Sequence, residues 1–306
     1  MKVLAPGKLL LSGAYVVLDG APATVLSVGR YAKANALARE VPRAAELIKA
    51  YGQKRAPSLD LSDLTDEGRK LGLGSSAAGL VAALAADAYE DGVDIEDRVF
   101  RKQLFEKAFA LHREVQGGGS GFDVAAAVWG GFFRYELYAA GKARVTDLLW
   151  PSGLQLELFS TQTSARTSEF IAEINAFRGA QPEVAGPMFA ALRQAAIRAS
   201  VAFAAGSIQD VLPALTASRE ILGAIGETAH VPVVLPQVQR LGVLAASEDA
   251  VFYPSGAGGG DVCVRLGVER ASAQFLRAVA AEGLMPLKVM ADSRGVHAVA
   301  AEDSED

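Results

Sequence analysis

Three glycine-rich segments with serine or aspartate are the parts of this 306-residue chain best suited to chemistry: Gly72–Ser76, Gly117–Asp123 and Ser255–Asp261. Glycines allow successive backbone N–H groups to turn into one concavity, and a helix that begins there adds the positive end of its dipole. A helix of small residues is predicted to follow the first segment. This segment therefore indicates an anion site, where serine hydroxyls are suited to contact phosphate oxygens or Mg²⁺.

The first segment is also compatible with two other interpretations. The Walker pattern GxxxxGK[ST] is absent, but Gly72–Ala77 matches the dinucleotide fingerprint G-x-G-x-x-A, which would make the chain a nicotinamide oxidoreductase. That fingerprint should follow a buried strand, whereas the preceding residues 66–70 are charged. The third interpretation is a tight loop that packs a helix and binds nothing.

The other two segments end in an aspartate, and each has a purely structural alternative. Asp123 precedes a short apolar helix, so its carboxylate could serve only as an N-cap. Asp261 precedes a predicted strand, so Ser255–Asp261 could be only the loop that enters this strand. The presence of three such segments in one chain favours a shared function.

Composition limits the class of protein. The chain has 30 Lys and Arg and 35 Asp and Glu, a net charge of −5, which argues against nucleic acid as the main partner. A small phosphorylated substrate remains compatible, because a basic pocket can exist in an acidic protein. The single cysteine allows no internal disulfide, and no apolar run approaches the ~20 residues of a membrane span. We therefore expect a cytoplasmic protein with no membrane partner.

Strands and helices must position these segments. The alternation of residues predicts N-terminal strands at Lys8–Ser12, Tyr15–Leu18 and Thr24–Val28, with a hairpin turn at Asp19-Gly20. Predicted helices lie near residues 42–51, 77–89, 96–115, 167–178, 185–204, 208–225 and 235–246, whereas 56–70 is expected to be irregular. The chain is predicted to end in a strand–helix–strand–strand pattern typical of a split βαβ layer. Pro151–Gly153 marks a boundary between domains 1–153 and 154–300, which an acidic tail, 301–306, follows.

Three motifs in order resemble those of the GHMP small-molecule kinases: Ala5–Lys8, Gly72–Ala78 and Ser255–Asp261. The resemblance implies a two-domain α+β GHMP kinase fold. Its N-terminal half would be similar to ribosomal S5 domain 2 and its C-terminal half would be ferredoxin-like, with ATP in the cleft between them. Within the family, Lys70–Ala78, Gly119–Ala127 and Ser164–Ser168 are similar to the phosphomevalonate kinase branch.

This resemblance implies transfer of the γ-phosphoryl group of ATP to (R)-5-phosphomevalonate, which gives 5-diphosphomevalonate, with Mg²⁺ as the cofactor. The small-molecule substrate would be the main partner of a monomer or homodimer. Two alternatives remain within the same fold. One is a kinase for mevalonate, a sugar or homoserine, and the other is a non-catalytic ligand sensor.

The resemblance also implies roles for individual residues. The ATP-binding residues would be Gly72, Leu73, Gly74, Ser75, Ser76 and Ala77, and Ser76 would also contact the metal. Lys8 and Asp123 would be the catalytic pair. The substrate-binding residues would be Ser120, Gly121, Ser164, Arg166, Lys70, Gly258 and Gly259.

Two positions depart from the mevalonate kinase pattern. The glutamate that is a magnesium ligand in those enzymes would lie eleven residues before Asp123, where this chain has His112. The sequence therefore does not identify Mg²⁺ ligands beyond Ser76. His112 itself is expected to be a surface residue or one that acts behind the site. The first motif continues as Ser12–Tyr15 and lacks the Gly-Glu-His of many mevalonate kinases, which weakens mevalonate as the acceptor.

The acceptor determines what Asp123 must do. A phosphate monoester has a second pKa near ~6, so at neutral pH its oxygen is already an anion. An alcohol would need its proton removed by a general base. For a phosphate acceptor, we therefore expect Asp123 mainly to orient Lys8 and the acceptor.

Overall fold

A computed structural model describes residues 1–66, 68–138, 141–163 and 167–300, without the side chains of residues 167 and 168. The strands are β1 Lys2–Ser12, β2 Ala23–Glu40, β3 Ala56–Asp60, β4 Thr65–Asp66, β5 Arg69–Lys70, β6 Phe132–Leu137, β7 Ala143–Asp147, β8 Gln155–Ser160, β9 Ala250–Pro254, β10 Val262–Gly267, β11 Met285–Leu287 and β12 His297–Val299. The helices are α1 Ala45–Tyr51, α2 Ser75–Glu90, α3 Arg98–Val115, α4 Phe122–Trp129, α5 Thr167–Ala180, α6 Pro182–Ala205, α7 Ile208–Ala229, α8 Pro236–Ala246 and α9 Ala273–Ala281. The predicted tail 301–306 lies outside the described residues.

The strands form three sheets. The largest has the order β12-β1-β2-β6-β7, with β3 paired to β2, and the shortest is the hairpin of β4 and β5. The third has the order β11-β8-β10-β9 and is antiparallel throughout. Along the chain, α5–α8 lie between β8 and β9, and α9 lies between β10 and β11. This arrangement agrees with the predicted ferredoxin-like layer.

The C-terminal strand corrects one part of this prediction. Residues 296–299 were expected to complete the ferredoxin-like layer, but β12 pairs antiparallel with β1, with Lys2 opposite Val299 and Leu4 opposite His297. The ferredoxin-like sheet is already complete with four strands. The last strand instead pairs with the free edge of β1 and forms hydrogen bonds with its backbone groups.

The chain divides into two compact units that are discontinuous in sequence. Unit 1 contains Met1–Leu9, Leu26–Phe132 and the C-terminal segment from Val289, and unit 2 contains Leu10–Val25 and Phe133–Lys288. These units differ from the continuous halves 1–153 and 154–300, because β1 and β2 are each divided between units and β12 returns to β1. The domain boundary at residue 153 stays a prediction.

The second predicted strand, Tyr15–Leu18, is wrong. Residues Val16–Asp19 form a 3₁₀ turn, which follows Gly13 at φ 95° and Tyr15 at φ 63°. A Cβ on Gly13 would lie 2.7 Å from the Ala23 Cα, so the chain can turn here only without a side chain. The segment thus leaves the sheet after β1, and the expected two-residue hairpin does not form. Residues 56–70, expected to be irregular, contain the short strands β3, β4 and β5.

Each unit has its own apolar core. In unit 1, the small residues of α2 are almost fully buried, and α3 begins at an Asp97 cap that accepts from the N–H groups of Val99 and Phe100. In unit 2, the rings of Phe159, Phe252 and Phe275 pack edge to face. Over the described part of the chain, no helix has the length and hydropathy needed to cross a bilayer.

Candidate active site

Lys8 on β1 lies against the first glycine-rich segment. Its ammonium donates to the Gly72 carbonyl at 2.8 Å, and its backbone N–H donates to the Leu73 carbonyl, also at 2.8 Å. The approach is so close that a Cβ on Gly7 would lie 2.8 Å from the Leu73 carbonyl oxygen. Since the strand and the loop are held together by backbone contacts, the positive charge of Lys8 has a fixed place at the start of the loop.

The same loop leads directly into the N-terminus of α2. Gly74 is the N-cap, with φ 83°, and a Cβ there would lie 3.1 Å from the Lys8 Cγ and 3.6 Å from the Asp123 Cβ. The first turn of the helix is Ser75-Ser76-Ala77-Ala78, and no side chain caps it. Free N–H groups and the helix dipole therefore favour an anion at this point.

The predicted ATP-binding residues contribute in different ways. Leu73, Ser75 and Ala77 are buried, so the atoms of Leu73 and Ala77 suited to a phosphate are their backbone groups. Ser76 is half-buried, and its hydroxyl accepts a hydrogen bond from the Lys70 ammonium at 3.1 Å. Lys70, predicted to bind substrate, therefore lies beside the loop predicted to bind ATP.

Asp123 is in the first turn of α4, where a glycine fixes the local backbone. The N-cap Gly121 has φ 77°, and a Cβ there would lie 2.4 Å from the Phe109 ring. One carboxylate oxygen of Asp123, Oδ1, accepts from the Val124 N–H at 2.9 Å, and the other, Oδ2, lies 3.2 Å from the His112 Nε2. Both oxygens thus have a partner within the protein, although the side chain is 22% exposed.

The electrostatic environment keeps Asp123 ionised. Burial alone would raise the pKa of this carboxyl, but His112, Lys8 and the Val124 N–H together hold the pKa below its usual value. A carboxylate with a lowered pKa is a weak base. Asp123 is therefore better suited to orient charged groups than to remove a proton from an alcohol.

His112, on α3, connects Asp123 to a second buried carboxylate. Its Nδ1 lies 3.4 Å from the Oε1 of Glu46 on α1, and that oxygen also accepts from the Gln116 amide at 2.8 Å. Burial lowers the pKa of His112, but the carboxylates of Asp123 and Glu46 outweigh it and raise the pKa to about 10. His112 in turn lowers the pKa of Glu46 to about 2, against the effect of burial.

This arrangement corrects the prediction of a surface position for His112 and adds Glu46 to the residues around the site. The interpretation of His112 as a surface residue is wrong, because its side chain is only 9% exposed. Glu46 was missed by the sequence analysis, because nothing near it in the sequence indicates that α1 packs against α3. The one sequence feature that could have indicated Glu46 is that it is a lone acidic residue on a short helix of apolar and basic residues.

Comparison with known proteins places this constellation in a family. Residues 34–131, which include the Gly72 loop, His112 and Asp123, match the family model for the N-terminal domain of GHMP kinases. The chain contains a GHMP kinase N-terminal domain. The resemblance predicted from the three motifs is therefore confirmed.

Two enzymes are similar to this protein over most of the chain. A phosphomevalonate kinase from Streptomyces sp. is 27% identical over 86% of this chain and 88% of its own length. A mevalonate kinase from Archaeoglobus fulgidus is 25% identical over 84% of this chain and 88% of its own length.

Solved structures support the same GHMP kinase fold. The Lin0012 protein from Listeria innocua matches with a TM-score of 0.77 at 20% identity, covering 95% of this chain and 97% of its own. Streptococcus pneumoniae phosphomevalonate kinase, in complex with phosphomevalonate and AMPPNP, matches with a TM-score of 0.76 at 17% identity, covering 95% and 99%. The predicted α+β GHMP kinase fold is confirmed.

The third glycine-rich segment lies in unit 2 of this GHMP kinase fold, and packing accounts for two of its four glycines. A Cβ on Gly258 would lie 1.9 Å from the Val233 carbonyl oxygen, and one on Gly259 would lie 1.7 Å from the Phe170 ring. The Ser255 hydroxyl accepts from the N–H of Leu10 and donates to its carbonyl. The substrate role of Gly258 and Gly259 stays a prediction.

The remaining residues predicted for the site divide into two groups. Ser120, which is buried, and Gly121 lie three and two residues before Asp123. Ser164 and Arg166 fall outside the described residues.

The donor set for a metal ion is small. Within the described ranges, no group of three or more His, Cys, Asp or Glu side chains is arranged to hold a metal. The position expected to carry a glutamate ligand carries His112, whose pKa is raised to about 10 by Asp123 and Glu46 against the effect of burial. Mg²⁺ commonly binds through phosphates with few protein ligands, and the half-buried Ser76 hydroxyl in the first turn of α2 is an oxygen donor of the type that it uses.

Proposed function

We propose that this chain is an ATP-dependent phosphomevalonate kinase, which transfers the γ-phosphoryl group of ATP to (R)-5-phosphomevalonate and produces 5-diphosphomevalonate. One observation carries the proposal. The Lys8 ammonium, the Asp123 carboxylate and the unsatisfied N-terminus of α2 all lie around Gly74. The named relatives support the same assignment, because phosphomevalonate kinases match almost the whole chain in both sequence and structure.

The nucleotide is proposed to bind at the loop from Gly72 to Ala77. Backbone N–H groups at the beginning of α2 are suited to its phosphates, and the Lys70 ammonium is 3.1 Å from the Ser76 hydroxyl at the same place. Mg²⁺ that enters with ATP would neutralise phosphate charge, with the Ser76 hydroxyl as the proposed protein ligand.

The acceptor phosphate is proposed to react as an anion. One of its oxygens forms the new bond to the γ-phosphorus, the bond from that phosphorus to the β–γ bridging oxygen breaks, and ADP leaves. No proton has to be removed, because the phosphate monoester is largely ionised at neutral pH. Lys8 would balance the charge on the transferring group, and Asp123 would hold Lys8 and the acceptor in register.

The other predicted residues complete the proposed acceptor site. Ser120 and Gly121 lie at the start of α4, just ahead of Asp123. Ser164, Arg166 and the pair Gly258–Gly259 are retained as proposed contacts to the acceptor or the phosphates. A monomer or homodimer in the cytoplasm remains our expectation.

The test is ADP release with ATP and Mg²⁺ over a panel of acceptors, with the product identified by mass. The panel contains 5-phosphomevalonate, mevalonate, galactose and homoserine. Turnover of 5-phosphomevalonate above the others is expected. Turnover of mevalonate instead, as in the named Archaeoglobus relative, would keep the kinase and overturn the acceptor.

Two further outcomes separate the remaining alternatives. ATP binding without turnover of any acceptor would favour a ligand sensor. Binding of NADH or NADPH in a titration would favour the oxidoreductase. The Lys8→Met variant is the control for contaminating kinase activity, because a contaminant would be unaffected by this change.

A further inference from the structure

The side chains of unit 1 contain a row of alternating charges, and the proposed reaction does not by itself require the two buried members, Glu46 and His112. The row runs from Glu46 on α1 through His112 on α3 and Asp123 on α4 to Lys8 on β1. Glu46 and His112 have side chains only 5% and 9% exposed. Burying two ionisable groups is costly unless they neutralise each other, so their presence calls for a role.

We propose that His112 is a positioning residue of the kinase site. In this view, the imidazolium ring, held between Glu46 and Asp123, keeps the Asp123 carboxylate ionised and oriented toward Lys8. The inference rests on the proposed function, because it assigns the row of charges to the phosphoryl-transfer step. His112 lies behind Asp123 and would act through it, without touching a substrate.

The geometry of the two contacts supports this role. His112 Nε2 is 3.2 Å from the Asp123 Oδ2, while the other oxygen of that carboxylate accepts from the Val124 N–H. The carboxylate is thus held at both oxygens and cannot rotate freely. On the far side of the ring, Nδ1 lies 3.4 Å from the Glu46 Oε1, an ion-pair contact without hydrogen-bond geometry, and that oxygen accepts from the Gln116 amide.

The charges around the pair explain why the ring stays protonated. Glu46 comes from α1, Asp123 from α4 and Lys8 from β1. Lys8 acts electrostatically on Asp123. Among the other charged groups of the neighbouring helices, Lys49 pairs with Glu114, and Asp87 and Glu90 pair with Arg39. Two carboxylates therefore face one imidazole, and they hold its proton well above neutral pH.

The first experiment observes the imidazole directly and does not depend on turnover. The chain has three histidines, so the His112 ring signal in a ¹H–¹³C spectrum can be assigned by its loss in His112→Asn. We expect this signal to keep its imidazolium shift from pH 6 to pH 9, and its transition to move to lower pH in Glu46→Gln. A neutral His112 ring at pH 7.5 would overturn the inference even if the kinase assignment is correct.

The second experiment measures the consequence for catalysis. In His112→Asn, we expect kcat to fall about 10- to 100-fold, as for loss of one hydrogen bond to a charged group, while the Kd for ATP stays within about twofold. The acid limb of the kcat profile should move to higher pH, because the Asp123 carboxyl becomes easier to protonate. A wild-type kcat and pH profile would overturn the inference.

Two further variants keep the result interpretable. His230→Asn makes the same change at an exposed helix end with φ 58°, a conformation that asparagine tolerates, and it should leave both profiles unchanged. If His112→Asn does not fold, Glu46→Gln should still give the shifted pH profile. If no acceptor in the panel is turned over, the proposed function fails, and the ring spectrum alone decides the state of His112.

Discussion

Replacement of Asp123 by asparagine separates an orienting carboxylate from a general base. The substitution preserves the size of the side chain and leaves one oxygen to accept from the Val124 N–H, which is 2.9 Å from Oδ1 in the wild type. It removes the negative charge that faces His112 at 3.2 Å and that also attracts Lys8. The backbone at the N-terminus of α4 should not change.

The expected loss can be calculated from these contacts. A hydrogen bond to a charged group contributes about 1.5–3 kcal/mol, and about 1.4 kcal/mol corresponds to a tenfold change in rate. Loss of the His112 contact should therefore reduce kcat about 10- to 150-fold. Removal of an obligatory general base would cost up to about 10⁴-fold.

The assay is ADP release at saturating ATP and 5-phosphomevalonate, with kcat and KM measured for wild type and Asp123→Asn between pH 6 and pH 9. Asp91→Asn is the matched control, because this aspartate is exposed at the end of α2. A loss of 10⁴-fold or more in kcat, with the folded structure retained, would refute the orienting role. Asp123 would then be the base that removes a proton from the acceptor.

Four other changes have defined outcomes. Lys8→Met should lower kcat about 10³-fold in the ADP assay, because one charge at ~4 Å contributes about 4 kcal/mol at an effective dielectric constant of ~20. Gly74→Ala and Gly92→Ala impose similar strain at φ 83° and 80°, but only the first brings a Cβ within 3.1 Å of Lys8, so only the first should lose ATP affinity in calorimetry. Arg265→Met should cost about 3 kcal/mol in urea unfolding, because it removes the fully buried partner of two glutamates. The free energy of unfolding should fall as pH rises from 6.5 to about 10, since His112 is protonated only in the folded state over this range; an unchanged stability there would contradict the raised pKa.

Local sequence patterns predicted most of the helices and the ferredoxin-like sheet. Segments α5 to α8 have long apolar faces and clear glycine or proline boundaries, and each was predicted within a few residues of its bounds. The glycine-rich segments were also identifiable, because the close approaches at Gly74, Gly258 and Gly259 leave no space for a side chain. A steric constraint at a single position can therefore be predicted from the residue type at that position.

Features that depend on distant partners were not predictable in this way. The pairing of β12 with β1 depends on which sheet has a free edge, and no residue in 297–299 indicates the choice. The role of Glu46 depends on the packing of α1 against α3, since a glutamate on a short helix is normally solvated. For His112, only the surface alternative was wrong, because its two carboxylate partners come from other helices, and the alternative of a residue behind the site stays a prediction.

The buried contact between Glu46 and His112 also constrains how the sequence can evolve. Loss of His112 leaves Glu46 as a buried charge without its cationic partner, whereas loss of Glu46 leaves His112 facing Asp123, so replacement of His112 first passes through the more destabilised intermediate. The two positions are therefore expected to change together over generations. Relatives that place a neutral or acidic residue at the position of His112 should also have replaced Glu46.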